Sequence, residues 1–147
     1  IKRLSESNNY IFIMVLHPKL PIHIIEKWQS LTSDNFTFFN TTHLIPLFIK
    51  ADILFADTTS AIQEFVLQKK PVVTFKHKVH EDFLINIEDS GSIEAAFKTA
   101  LNPSKKLLKK IDTYVQNLHP YVDGKSSKRV IDACISFLQK DRSYLNT

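Results

Sequence analysis

ADILFADTTSAIQEFVLQKKPVVTF, residues 51–75, is the stretch whose reading decides the fold. Ile53 to Ala56 is a short apolar run of the length a buried strand uses. Asp57-Thr58-Thr59-Ser60 follows, four residues of the types that favour turns and helix N-caps. From Ala61 to Gln68 the apolar residues Ile62, Phe65 and Val66 recur at helical spacing. Lys69 and Lys70 fall in the expected last turn, where positive charge suits the carboxyl end of the helix dipole. Pro71 stops the helix, and Val72 to Phe75 reads as the next buried strand. The unit is strand–helix–strand. Its first helical turn is expected to direct free N–H groups, with three hydroxyls beside them, at an anion. The local alternative is that Asp57 or Thr58 simply caps the helix.

Outward from this unit, 147 residues with 44% hydrophobic content suffice for one domain spanning residues 1–147 with a sizeable core. A charged fraction of 23% argues against disorder. The net charge of +4 is spread along the chain. It favours an anionic ligand or a membrane surface and forms no patch of the kind that binds nucleic acid. Cys134 has no partner for an internal disulfide, and its helical spacing from Val130 and Phe137 reads as a packed core thiol. That usage fits the cytoplasm. No apolar run reaches the roughly 18 residues of a membrane span, and no signal peptide is visible. A chain opening on Ile1 reads as a segment of a longer protein.

The remaining chain alternates in the same way. Ile1 to Asn9 is polar and reads as a connector; Tyr10 to Leu16 is an apolar, β-rich strand, ended by His17-Pro18. Pro21 opens a helix with Ile24, Ile25, Trp28 and Leu31 on one face. Phe36 to Phe39 is a strand, and Asn40-Thr41-Thr42 caps a helix from His43 to Lys50. Beyond the central unit come a polar loop (Lys76 to Asp82), an edge strand (Leu84 to Ile87) and a helix from Ile93 to Leu101 capped by Ser90. Asn102-Pro103-Ser104 leads into a helix ending near Leu118, Asp123-Gly124 turns the chain, and Ser126 to Lys140 is a last amphipathic helix. This order argues for an α/β, Rossmann-like, three-layer domain with a mostly parallel sheet.

His17, Asp57 to Ser60, and Lys76-His77 each follow the carboxyl end of an expected strand, the edge where open α/β sheets bind ligands. With Gly91 and Gly124 the only glycines, no glycine-rich phosphate loop exists. Phosphate contacts therefore fall to Thr58, Thr59 and Ser60. Glu64, about one turn along, is placed either to accept ribose hydroxyls or simply to face solvent. His77 and His80 form H-x-x-H beside Glu81 and Asp82, but no second pair supports it, so neither a metal nor another cofactor is expected. His23 and His43 read as surface or capping residues, and His119-Pro120 lies beyond a helix end rather than a strand end. Lys105, Lys106, Lys109 and Lys110 around Leu107 and Leu108 offer a basic turn that either touches anionic lipid or is a solvated face.

Taken in order, His17-Pro18, ADILFADTTSAIQEF, KPVVTF and DGKSSKRVID resemble the carboxyl-terminal domain of GT-B nucleotide-sugar enzymes. Two groups are similar: the bacterial CDP-glycerol glycerophosphotransferase-like transferases that build teichoic acids and capsules, and the non-hydrolysing UDP-N-acetylglucosamine 2-epimerases. The resemblance runs from Tyr10 to about Leu138. It implies that Thr59 and Ser60, with Thr58, hold a donor's diphosphate, that Glu64 binds the ribose, and that Phe75, Lys76 and His77 meet the base or sugar. By the same resemblance Asp57, Asp123, Gly124 and Ser126 line the nucleotide pocket, and His17 faces the diphosphate or transferred group as the catalytic residue. Thr59 and Ser60 stand where epimerases carry glycines, nearer the transferases. The implied donor is a UDP- or CDP-activated sugar or polyol. The implied partner is an amino-terminal domain of the same chain, at the inner face of the membrane. Without that domain the segment is expected to be inactive. A scaffold that kept the fold and lost the chemistry is the alternative of another class.

Overall fold

The computed structural model describes residues 1–17, 19–57 and 59–140. Within them β3 (Leu54–Ala56), α4 (Ala61–Val66) and β4 (Val72–Phe75) form the expected strand–helix–strand unit. β4 pairs in parallel with β3 (Leu54 opposite Val72, Ala56 opposite Thr74) and with β5 (Leu84–Ile87; Val72 opposite Leu84, Phe75 opposite Ile87). β1 (Phe12–Met14) and β2 (Phe36–Phe38) make a second parallel ladder, Phe12 opposite Phe36. The helices are α1 (Lys2–Ser5), α2 (Ile22–Gln29), α3 (Ile45–Lys50), α5 (Ile93–Leu101), α6 (Lys105–Leu118) and α7 (Ser126–Lys140).

β4 explains the layering. Successive residues of a strand point to opposite faces, and Val72 and Val73 are both fully buried. Val72 joins Phe48 of α3, Ile62, Phe65 and Val66 of α4, Phe83, and Ile111 and Val115 of α6. Val73 joins Leu4 of α1 and Ile93, Ala96, Phe97 and Ala100 of α5. A strand covered on both faces by helices is the middle of three layers, and an all-parallel arrangement requires such cover. The α/β, Rossmann-like architecture is therefore present. Between the two ladders the junction is aromatic: the ring centre of Phe97 lies 5.3 Å from that of Phe55 in β3, 6.2 Å from Phe12 and 5.7 Å from Tyr10.

Several local expectations are corrected. Ile1–Asn9 is more than a connector, since α1 buries Leu4 against the α5 cluster. The first strand shortens to Phe12–Met14 and is only half-buried. Lys69 and Lys70 are not in the last turn of α4, which ends at Val66. The chain turns left-handed at Lys69 (φ 59°), which pairs with Asp112 of α6. Lys70 Nζ then reaches back to donate to the carbonyls of Phe48, Ile49 and Ala51 at 3.0, 2.9 and 2.7 Å, closing the carboxyl end of α3 instead. Asp89, not Ser90, caps the turn into α5: its carboxylate accepts the N–H groups of Gly91 and Ser92 and the hydroxyl of Ser92. Those bonds, with the Ser92 hydroxyl foremost, hold the Asp89 carboxyl below its ordinary range. Cys134 is exposed rather than packed. Helical spacing correctly placed it on α7, but α7 leaves its apolar face uncovered, with Phe137 65% and Leu138 67% exposed.

Candidate functional site

Because β3 and β4 are parallel neighbours, the loops leaving their carboxyl ends start side by side, Ala56 against Thr74. One carries Asp57 to Ser60 and the other Lys76 to Val79. Asp57, Thr59, Ser60 and Glu64 are exposed; Thr58 lies outside the described residues. The start of α4 is more closed than its composition suggests. Thr59 Oγ1 accepts the Ala61 N–H at 3.3 Å. The Thr59 carbonyl takes the Ile62 N–H at 3.3 Å and the Ser60 carbonyl takes the Gln63 N–H at 3.0 Å. These bonds within one turn satisfy the N–H groups of Ala61, Ile62 and Gln63, the donors expected to be free. An anion seated there has to replace the two long Thr59 bonds. Ser60, at the N-cap position, makes no side-chain cap bond, so its hydroxyl is not committed to the helix.

The β4 loop is built differently. Lys76 adopts φ 53°, its N–H donates to the Ile87 carbonyl at 2.8 Å, and its Nζ lies 5.3 Å from the centre of the Phe75 ring. His77 is half-buried. Its N–H donates to Asn86 Oδ1 at 3.0 Å, and its carbonyl accepts from Asn86 Nδ2 at 3.3 Å. Asn86 also accepts the hydroxyl of Thr74 at 3.0 Å and donates to Glu88 Oε1 at 2.8 Å. The sequence reading missed Asn86. Its signal is a polar residue in each of two apolar strands, VVTF and LINI, at positions that become cross-strand partners, Thr74 opposite Asn86.

Two histidines on this edge present opposite chemistry. His17 is exposed shortly beyond β1, and its Nδ1 accepts the Lys19 N–H at 3.1 Å, so in the neutral ring the proton sits on Nε2. His77 Nδ1 lies 2.8 Å from the Val79 carbonyl, which can only accept, so Nδ1 carries a proton and in the neutral ring Nε2 is the acceptor. Pro18, expected to hold His17 extended, lies outside the described residues.

The turn at Asp123 and Gly124 makes its bonds to its own helix. Asp123 accepts from Arg129 Nη1 and Nη2 at 3.0 and 2.5 Å and from the Lys125 N–H at 3.1 Å. The Arg129 bonds, then the Lys125 N–H, hold the Asp123 carboxyl below its ordinary range, and Asp123 raises Arg129 in return. Gly124 supplies a positive φ of 70° that side chains resist, and Ser126 begins α7. The structure thus brings Asp57, Thr59, Ser60, Phe75, Lys76 and His77 to adjoining strand ends and gives Asp123 contacts of a separate kind. The α6 lysines flank the amino end of β5, where Lys110 pairs with Asp82 at 3.1 Å. Among the described residues no three His, Cys, Asp or Glu side chains are grouped to hold a metal ion, and no helix is long and apolar enough to cross a membrane.

Helices on both faces of parallel strands, with polar loops gathered where β3 and β4 end, define a Rossmann-like domain. More particularly, the chain belongs to the CDP-Glycerol:Poly(glycerophosphate) glycerophosphotransferase family, whose pattern matches residues 2–136. It is similar to the teichoic acid poly(ribitol-phosphate) polymerase of Bacillus spizizenii (strain ATCC 23059 / NRRL B-14472 / W23). The two are 26% identical over 139 residues, 87% of this chain and 22% of that protein. The chain thus spans about a fifth of the curated relative it matches. No solved structure matches it. Of the two groups the sequence resembles, the family match falls on the transferases.

Proposed function

We propose that this chain is the donor-binding part of a GT-B glycerophosphotransferase or glycosyltransferase that builds a teichoic-acid-like or capsular polymer from the cytoplasmic face of the membrane. The observation that carries the reading is a family match over residues 2–136 on a domain whose polar loops meet at one strand edge. The donor is a CDP- or UDP-activated polyol or sugar. Its diphosphate is held by Thr58, Thr59 and Ser60; Glu64 takes the ribose hydroxyls. Asp57, Phe75, Lys76 and His77 surround the nucleoside, with Asp123, Gly124 and Ser126 completing the pocket. His17, through Nε2–H, stabilises the growing charge of the departing diphosphate. No metal or cofactor enters this scheme, and a second domain of the same chain supplies the acceptor. Calorimetric titration of the domain with CDP, UDP and GDP tests the reading. Weak binding without transfer is expected, and Thr59→Ala/Ser60→Ala should weaken diphosphate binding while leaving nucleoside binding nearly unchanged. Silence toward all three nucleotides at millimolar concentration overturns it.

A further inference from the structure

We infer that the cleft between α6 and the turn ahead of β5 binds a terminal phosphate group, held by Lys106 and Lys109. The inference does not depend on the donor reading, because the cleft is at the other end of the sheet. Glu81 to Phe83 precede β5, so the cleft opens at the amino edge. The four residues of β5, a rise of about 10 Å, separate it from the level of the loops that follow β3 and β4.

Both walls of the cleft are held in place. Phe83, 4% exposed, anchors one wall in the core, and Tyr114 of α6 stacks on it with ring centres 3.8 Å apart. The turn carrying Phe83 is closed by the Leu84 N–H, which donates to the Glu81 carbonyl at 3.0 Å. Lys110 Nζ reaches across from α6 to Asp82 at 3.1 Å and ties the walls together. The space between them is about 430 Å³, the size of a small-ligand site.

Charge singles this cleft out. Helix residues three and four apart share a face, so Lys106, Lys109 and Lys110 stand together along it. Lys110 is committed to Asp82, whereas among the described residues Lys105, Lys106 and Lys109 form no ion pair. The opposing carboxylate without a partner among those residues is Glu81. Three ammonium groups thus face one carboxylate. The first turn of α6 holds no acidic residue, and positive charge at this end of a helix is set against both its neighbours and the dipole. An anion in the cleft removes that cost. A carboxylate is matched by one ammonium, as Asp82 is by Lys110. The double charge of a terminal phosphate calls for two, and its oxygens can also accept from the Asn117 amide on the same wall. Free phosphate and a phospholipid headgroup that ends in phosphate both carry this group.

Titration of the chain with inorganic phosphate at constant ionic strength, followed by ¹⁵N–¹H NMR, tests the inference. Saturable shifts are expected at residues 81–84 and 106–117. Lys106→Gln/Lys109→Gln should weaken this binding by at least about tenfold, the scale of two lost charge-assisted bonds. Both lysines are exposed, so the variant keeps the fold. Glu81→Gln, which removes the opposing charge, should tighten binding. Thr59→Ala/Ser60→Ala should leave the shifts at 81–84 and 106–117 unchanged. Flotation with phosphatidylcholine vesicles, with and without phosphatidic acid, separates the two sources. Retention by phosphatidic acid that the double lysine variant loses supports the headgroup; saturable phosphate binding without retention supports the free anion. Shifts that rise linearly and equally with chloride overturn the inference. So does a saturable response that the double lysine variant keeps, or silence toward both phosphate and vesicles.

Discussion

α6 and α7 are neighbours in the chain, of 14 and 15 residues, and both are amphipathic. Their fates differ completely. α6 buries Ile111 and Val115 in the core below β4, and Tyr114 stacks on Phe83 with ring centres 3.8 Å apart. α7 exposes Val130, Ile131, Ile135, Phe137 and Leu138. Its start is tied down, where Asp123 grips Arg129 and the Arg129 guanidinium lies 3.9 Å from the centre of the Tyr121 ring. A helical period states that a face exists. What covers that face is decided by other segments, because most helical stability comes from tertiary packing.

The sharpest way to break this contrast is one substitution in each helix. Ile111→Ala removes a fully buried side chain and should cost about 2–5 kcal/mol in chemical denaturation. Ile131→Ala, on an exposed face, should stay within about 0.5 kcal/mol of the wild type. Equal losses would mean that α7 is packed in solution after all. A smaller effect is expected at the polar edge of the same core. Lys70→Met keeps the aliphatic stem but leaves three α3 carbonyls without their ammonium donor, a loss of about 1–3 kcal/mol because the donor is charged and half-exposed. Unchanged stability would show that water replaces it without cost.

The smallest effect belongs to the tether of α7. Asp123 is held below its ordinary range by Arg129 and then the Lys125 N–H, so its folded pKa is lower than its unfolded one. Stability of this kind is fully present above the unfolded value, about 4, and is lost as pH falls through the folded value. Backbone chemical shifts of Ser126 to Arg129 should therefore report fraying at the start of α7 only below about pH 4, and Asp123→Asn should fray it at every pH. Fraying that begins on the alkaline side would assign the tether to some other group.

What was legible in the sequence was what local signals encode. Pro71 and the VVTF run place β4 at Val72–Phe75, LINI places β5, and Asn102-Pro103-Ser104 leads into α6. The inward positions Ala96, Phe97 and Ala100 are buried as their spacing requires. What was not legible depends on partners distant in the chain or on backbone closure. Lys70 caps a helix that precedes its own, and Asn86 gains its role only when the β4–β5 register sets it opposite Thr74. At the candidate site, side-chain types at residues 57–60 announce a turn with hydroxyls. They do not reveal that the Thr59 and Ser60 carbonyls already take the N–H groups of Ile62 and Gln63. Cys134 shows the same limit on a helix face.

The aromatic junction between the two ladders carries a mechanical consequence. Hydrogen bonds between strands are directional and resist sliding and rotation, whereas contacts among Phe12, Phe55 and Phe97 are non-directional and tolerate both. Among the described residues hydrogen bonds tie the strands within β3–β4–β5 and within β1–β2, while aromatic contacts through Phe97 join the two ladders. His17 is on one side of that junction and Asp57 to Ser60 on the other. Sliding or rotation along that junction changes the gap between the histidine and the start of α4.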